Sequence, residues 1–196
     1  MARKTTLSRK TKETDIKIEL NIDGRGKTEI STPISFLNHL LDNFGKHGLF
    51  DLKISTTGDI EIDQHHTVED IGICLGEAFK EALGDKKGIN RAGYFVFPLD
   101  EALSVVALDI SGRAYLNFDC KFKKEKIGDL DSDLIKEFFW GFCRALKATV
   151  HIRVLYGDNE HHKAESMFKA FAKAMKTACS KEKRSLKELP STKGLI

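Results

Sequence analysis

No apolar run in this chain approaches the roughly 18 residues needed to cross a bilayer. No apolar stretch follows the basic start either, so neither a membrane span nor a secretory signal is expected. Cysteine is scarce. Cys74, Cys120, Cys143 and Cys179 are far apart and form no C-x-x-C pair, which argues against a disulfide framework. Cys74, Cys143 and Cys179 fall in helical patterns where small buried thiols are common. This usage points to a reducing compartment, the cytoplasm. Low-complexity segments are absent. Neither sign of charge dominates: 32 Lys and Arg against 29 Asp and Glu leave a net charge of +3, too little to imply a nucleic-acid partner. Basic residues do gather at Arg3, Lys4, Arg9, Lys10 and Lys12, and again at Lys181, Lys183, Arg184 and Lys187. Each cluster reads as a solvated tail. What is present is 196 residues of ordinary composition, 41% apolar and 31% charged, enough for one good-sized core or two small half-domains.

Hydrophobic periodicity divides the chain. Ile16, Ile18, Leu20 and Ile22 alternate with polar residues, as in a half-buried strand. Asp23-Gly24-Arg25-Gly26 reads as a turn and 27–31 as a returning strand. Pro33 opens a helical stretch (Phe36, Leu37, Leu40, Leu41, Phe44) that Gly45 to Gly48 end. Residues 50–56 and 60–62 read as strands, and 67–83 as an amphipathic helix stopped at Gly84. The second half follows the same order, with strands at 94–97, 103–110 and 114–122, a helix at 132–146, a strand at 149–155 and a helix at 162–180. The expected fold is therefore α+β. Two β-β-α-β-α half-domains, residues 1–91 and 92–196, are joined near 86–92 and related by a pseudo-twofold axis, with helices layered on sheets.

The two final helices align without a gap. HHTVEDIGICLGEAFKEAL starts at His65 and HHKAESMFKAFAKAMKTAC at His161, 96 residues later. Each copy opens with His-His-x-x-Glu. Helical residues four apart share a face, so His65 with Glu69, and His161 with Glu165, can each grip one ion. His66 and His162 point about 100° away from their neighbours. If the motifs face each other, His162 completes the site of His65 and Glu69, and His66 that of His161 and Glu165. Imidazole with carboxylate suits Mn, Fe, Co, Ni or Zn better than Mg or Ca, and the lack of Cys ligands argues against structural zinc. A single copy would read more readily as a helix-capping pattern than as a metal site; two copies in register, holding four of the seven histidines, favour metal. His39, His47 and His151 read on their own as satisfied core histidines. Arg91, Ser111-Gly112-Arg113 and Ser191-Thr192-Lys193-Gly194 combine cations with small residues, as phosphate ligands do.

These residues resemble the imidazoleglycerol-phosphate dehydratase family over almost the whole chain. The signatures stand here as FLNHLL, GDIEIDQHHTVEDIGICLGEA, ALGDKKGI, PLDEAL, ALDISGRAYL, GDNEHHKAESMFKAF and PSTKG. The resemblance implies duplicated halves of the ribosomal protein S5 domain 2-like type and a homo-oligomer, a 24-mer with active sites shared between neighbours. It implies dehydration of D-erythro-imidazoleglycerol phosphate to imidazoleacetol phosphate in histidine biosynthesis, through a substrate imidazolate held by two Mn²⁺ per site. The ligands carried over are His39, His66, His161 and Glu165 for one ion, and His65, Glu69 and His162 for the other. Glu13, Glu69 and Glu165 become the catalytic carboxylates, with Glu13 contacting substrate as an acid or base. Arg91, Arg113, Lys169, Ser191, Thr192 and Lys193 become substrate ligands. Two departures from the family pattern matter, beside a neutral Ala114 in place of a proline. Asn38 replaces an aspartate, and Glu137 stands where a ligand histidine precedes a Phe-Phe pair, making Glu137 a carboxylate candidate for that ligand.

Three other readings compete: a dinuclear phosphoester hydrolase, a metal-assembled structural or storage protein, and a basic RNA-binding module.

Overall fold

A computed structural model describes residues 3–196. Its first half runs β1 (Lys4–Lys10), β2 (Thr14–Asn21), β3 (Thr28–Ser31), α1 (Ser35–Gly48), β4 (Asp51–Gly58) and α2 (His65–Leu83). The second runs β5 (Ala92–Leu99), β6 (Ala102–Asp109), β7 (Tyr115–Asp119), a small hairpin of β8 (Lys126–Ile127) and β9 (Leu130–Asp131), α3 (Leu134–Leu146), β10 (Thr149–Tyr156) and α4 (Glu160–Cys179). The fold is α+β, and the halves match strand for strand. The sheets are ordered β1-β2-β4-β3 and β5-β6-β10-β7. In each, the first three strands pair antiparallel and the last pair is parallel.

The register makes the match quantitative. Ile18 pairs with Ile54, and Val106 with Ile152, so β6 lies 88 residues after β2 and β10 lies 98 after β4. β1 and β5 keep the first offset, because Leu7 pairs with Ile18 and Phe95 with Val106. α1 and α3 keep the second, because each ends on a left-handed residue, Leu49 and Lys147. The offset jumps by ten where β8 and β9 are inserted.

The main sheet of each half therefore carries one strand more than the β-β-α-β-α unit expected. In the first half that strand is β1, which the basic-tail reading missed. Arg3 forms an ion pair with Asp23, and Arg9 with the buried Asp70 on α2, so both cations are held by acids of the first half. Residues 60–62 alternate like a strand but form a turn, and α1 runs through Gly45 to Gly48 instead of ending at Gly45.

The apolar faces of all four helices meet the inner faces of the sheets in one core. α2 packs on α3 and α4 on α1, while α2 covers β1 and β2, and α4 covers β5 and β6. Exchanging the halves maps one helix pair onto the other. Phe44, Phe79, Phe142 and Phe171 form a chain of ring contacts with centroids 5.1–5.9 Å apart. Each ring is fully buried, contributing about 1.5–3 kcal/mol of transfer free energy. α2 and α3 approach through glycine: a Cβ on Gly72 would stand 2.3 Å from the Phe138 carbonyl oxygen. The inserted hairpin reaches back to the first half, where Asp129 accepts from the amides of Ser35 and Phe36 at 2.7 and 2.8 Å. It thus caps α1, whose own N-cap residue, Ile34, has no side chain able to do so.

Candidate metal centre

α1 and α4 lie side by side and bring His39 to the second His-His-x-x-Glu motif. One oxygen of Glu165, Oε2, is 3.1 Å from His39 Nε2 and 2.9 Å from His161 Nε2. The three ligating atoms lie within 4.8 Å of one another, and this is the one such group among the described residues. His39 read alone as a core histidine; its place in this group comes from the α1–α4 packing. Lys169, one turn on, holds the other Glu165 oxygen at 2.5 Å. Burial works against the charge on Glu165, yet the hydrogen bonds from Lys169, His39 and His161 outweigh it and push its carboxyl down to about 2. The set of two imidazoles and an ionised carboxylate converging on one point fits a divalent transition metal such as Mn²⁺.

The first motif is looser. His65 Nε2 is 3.7 Å from Glu69 Oε2, and Arg144 occupies the other oxygen at 3.4 Å. Glu137 falls 98 residues after His39, at the matching place on α3, but it joins no ligating group. Within one chain, His162 does not complete the pair of His65 and Glu69, nor does His66 complete that of His161 and Glu165. The reason is packing: the motifs open α2 and α4, which lie against α3 and α1.

His66 and His162 instead meet acids that spacing did not single out. His66 Nδ1 is 3.2 Å from Asp59 and 3.9 Å from Glu13. His162 Nδ1 is 2.7 Å from Glu101, with Asp100 at 3.8 Å from Nε2. Both imidazoles are raised above the ordinary histidine value, chiefly by the hydrogen bonds to Asp59 and Glu101. No signal in the sequence marks Asp59 or Glu101 beyond their place in the quoted motifs. Asn38 turns away from the site, accepting from the Thr32 amide at 2.9 Å and donating to the Thr32 carbonyl at 3.1 Å. Both bonds use the amide side chain; an ionised aspartate could make only the first.

The anion candidates gather elsewhere. Arg91 clasps Asp109 through Nε and one terminal nitrogen at 2.6 and 2.8 Å and gives the other terminal nitrogen to the Pro190 carbonyl at 2.9 Å. Ser191 accepts from the Lys193 amide at 3.3 Å, and Thr192 and Lys193 are exposed. The tail's last residue, Ile196, lies against Gly112, beside the exposed Arg113. Arg91 also donates its amide to the Ala178 carbonyl, near the far end of α4. Thirteen helical residues, about 20 Å, separate Ala178 from Glu165. Lys169 stays with Glu165, apart from this cluster.

The model of the imidazoleglycerol-phosphate dehydratase family matches residues 32–175. Proteins of that name from Koribacter versatilis and Geobacter sulfurreducens are 56% and 54% identical, over 99% and 100% of this chain and 100% of theirs. The crystal structure of the IGPD of Pyrococcus furiosus in complex with (S)-C348 superposes with a TM-score of 0.84 at 40% identity, covering 97% of this chain and 100% of that one. The imidazoleglycerol-phosphate dehydratase of Staphylococcus aureus gives 0.80 at 37%, covering 91% and 99%. With full-length likeness in sequence and in fold, the chain belongs to the imidazoleglycerol-phosphate dehydratase family.

Proposed function

We propose that this protein is a hydro-lyase that converts D-erythro-imidazoleglycerol phosphate to imidazoleacetol phosphate in histidine biosynthesis, with two Mn²⁺ per active site. The observation that carries the reading, beyond family membership, is the convergence of His39, His161 and Glu165 on one point. His66 would complete that ion's shell, and His65, Glu69 and His162 would hold the second, with Glu137 at the place on α3 that matches His39 on α1. Bound Mn²⁺ would act as a Lewis acid and a template for the substrate's imidazole ring.

The chain's own residues supply the rest. The chemical difficulty is a carbon-bound proton of low acidity beside a hydroxyl that leaves poorly, so positioned proton donors and acceptors matter. Glu13 is exposed at the β1–β2 turn and 3.9 Å from His66, a place from which it can move a proton at a substrate held by His66's ion. Arg113, Ser191, Thr192 and Lys193 would bind the phosphate, while Arg91 pins the tail through Pro190 and keeps two of its five N–H groups for the anion. That clamp provides orientation away from the reacting carbon.

Distance favours assembly. The anion cluster and the metal group lie about 20 Å apart along α4, too far to hold one small substrate within a chain. We propose a homo-oligomer, a 24-mer, in which one subunit's clamp serves a neighbour's metal group. The outer face of the second sheet is consistent with this: it exposes Tyr94, Val96 and Leu155 beside His151 and Arg153, where the first sheet carries Lys17, Glu19, Lys53 and Ser55. The four unpaired thiols suit a reducing cytoplasm, and no helix among the described residues is long and apolar enough to cross a membrane.

The test is to strip metal with chelator, restore Mn²⁺, and follow imidazoleacetol phosphate. Mn²⁺-dependent product is expected. Release of inorganic phosphate instead would support a phosphoester hydrolase, and no reaction from folded, Mn²⁺-loaded protein would overturn the proposal.

A further inference from the structure

We infer that Glu101 is a positioning residue that locks His162 in the tautomer presenting Nε2 to a metal ion. This rests on the metal reading above and assigns a role to a residue that the motif pattern left without one.

The geometry is specific. Glu101 sits in the β5–β6 turn, and its Oε2 is 2.7 Å from His162 Nδ1. Its other oxygen accepts from the amides of Asp158 and Asn159 at 3.2 and 2.8 Å, in the loop that leads into α4. The carboxylate is thus fastened at one end to the backbone beside its target. With Oε1 taken by the two backbone amides, Oε2 is the oxygen left to face the ring. An ionised carboxylate only accepts, so the proton must sit on Nδ1. A neutral ring then has its lone pair on Nε2, the nitrogen on the opposite side. Carboxylates behind metal-bound histidines fix tautomer and ring orientation in this way.

The internal repeat gives an independent line. β1 with β2, and β5 with β6, keep one offset of 88 residues through the intervening turn. Glu13 therefore occupies the same turn position as Glu101. Each faces the second histidine of its half's motif, but the two are used differently. Glu101 is anchored at 2.7 Å, whereas Glu13 stands 3.9 Å from His66, and Asp59 takes the near position at 3.2 Å. In the first half the fastening has passed to Asp59, which leaves the Glu13 carboxylate available to substrate. In the second half the turn glutamate keeps the fastening.

Glu101→Gln separates this role from simple loop support. Its amide oxygen can still accept from Asp158 and Asn159, but its NH₂ then faces Nδ1 and favours the opposite tautomer. We would titrate Mn²⁺ into metal-free wild type and variant by electron paramagnetic resonance and follow assembly by gel filtration. The expected result is Mn²⁺ affinity lowered about 10–100-fold, with folding and metal-free melting unchanged and kcat partly restored at high Mn²⁺. Equal affinity in a folded variant overturns the inference. If Glu101→Gln does not fold, Glu101→Asp and Glu101→Asn offer the same contrast at shorter length, and the inference requires tighter Mn²⁺ binding by the aspartate; equal binding overturns it. A wild type that binds no Mn²⁺ would overturn the metal reading itself, an outcome distinct from wild-type binding that Glu101→Gln leaves untouched.

Discussion

His39 and Glu137 occupy matched positions on α1 and α3, 98 residues apart, yet only His39 stands in a ligating group. The duplicated halves are thus alike in backbone and unlike in chemistry. On the His39 side three groups converge; on the Glu137 side His65 and Glu69 stand 3.7 Å apart and Arg144 competes for the carboxylate.

Glu165→Gln should therefore be more damaging to metal binding in the isolated chain than Glu69→Gln. The amide cannot accept from Lys169, His39 and His161 as the carboxylate does, and the site loses its one negative charge. We expect Mn²⁺ affinity at that site to fall at least about tenfold, the lower bound for even outer partners of a metal ligand. Metal analysis after gel filtration checks it, and an unchanged stoichiometry would remove Glu165 from the ligand set.

Lys193→Ala should act on substrate binding alone. A hydrogen bond to a charged group contributes about 1.5–3 kcal/mol, which corresponds to roughly a 10–100-fold rise in KM with kcat little changed. Steady-state kinetics separates the two; an unaltered KM would take Lys193 out of the clamp.

Gly72→Ala should destabilise the fold. The added Cβ would sit 2.3 Å from the Phe138 carbonyl oxygen, and backbone on two packed helices must shift to admit it. A cost of about 1–3 kcal/mol is expected, read as a lower urea midpoint. A midpoint equal to that of the wild type would mean that α2 and α3 are not in this close register.

Asp129→Ala removes the cap on α1 at a cost of about 1 kcal/mol, and its effect should depend on pH. Burial raises the Asp129 carboxyl, but the amides of Phe36 and Ser35 outweigh it and hold the group below its ordinary 3.8. A depressed folded-state value means the stabilisation is complete above the unfolded value and is lost as pH falls through the lower, folded one. Wild type and variant should differ at neutral pH and converge under acid conditions in parallel denaturation curves. A gap that stays constant below pH 3.8 would assign the effect to packing.

Much of this was legible in the sequence because duplication repeats its signal. HHxxE twice in one chain marks the candidate metal motif, and the alternation of Ile16 to Ile22 or Val150 to Val154 marks central strands. β1 was not legible, since its half-buried face carries Arg9 with Leu7 and is balanced by Asp70 from a distant helix. Ile60 and Ile62 misled for the converse reason: they alternate like a strand but lie in a turn, with Ile62 73% exposed. Asp59, Glu101 and Asp129 act through partners in other elements, and isolated acids on a charged chain carry no periodic mark. Whether two motifs face each other is a matter of helix packing, which periodicity does not encode.

The separation along α4 has a kinetic corollary. In a solitary chain the proposed metal ligands and the proposed phosphate clamp lie at opposite ends of one rigid rod, and no internal motion short of unfolding shortens a helix. Catalytic competence would then be a property of the population of chains. Specific activity would fall on dilution below the assembly threshold, and a mixture of two inactive variants, one lacking each end, would recover turnover by sharing the intact ends.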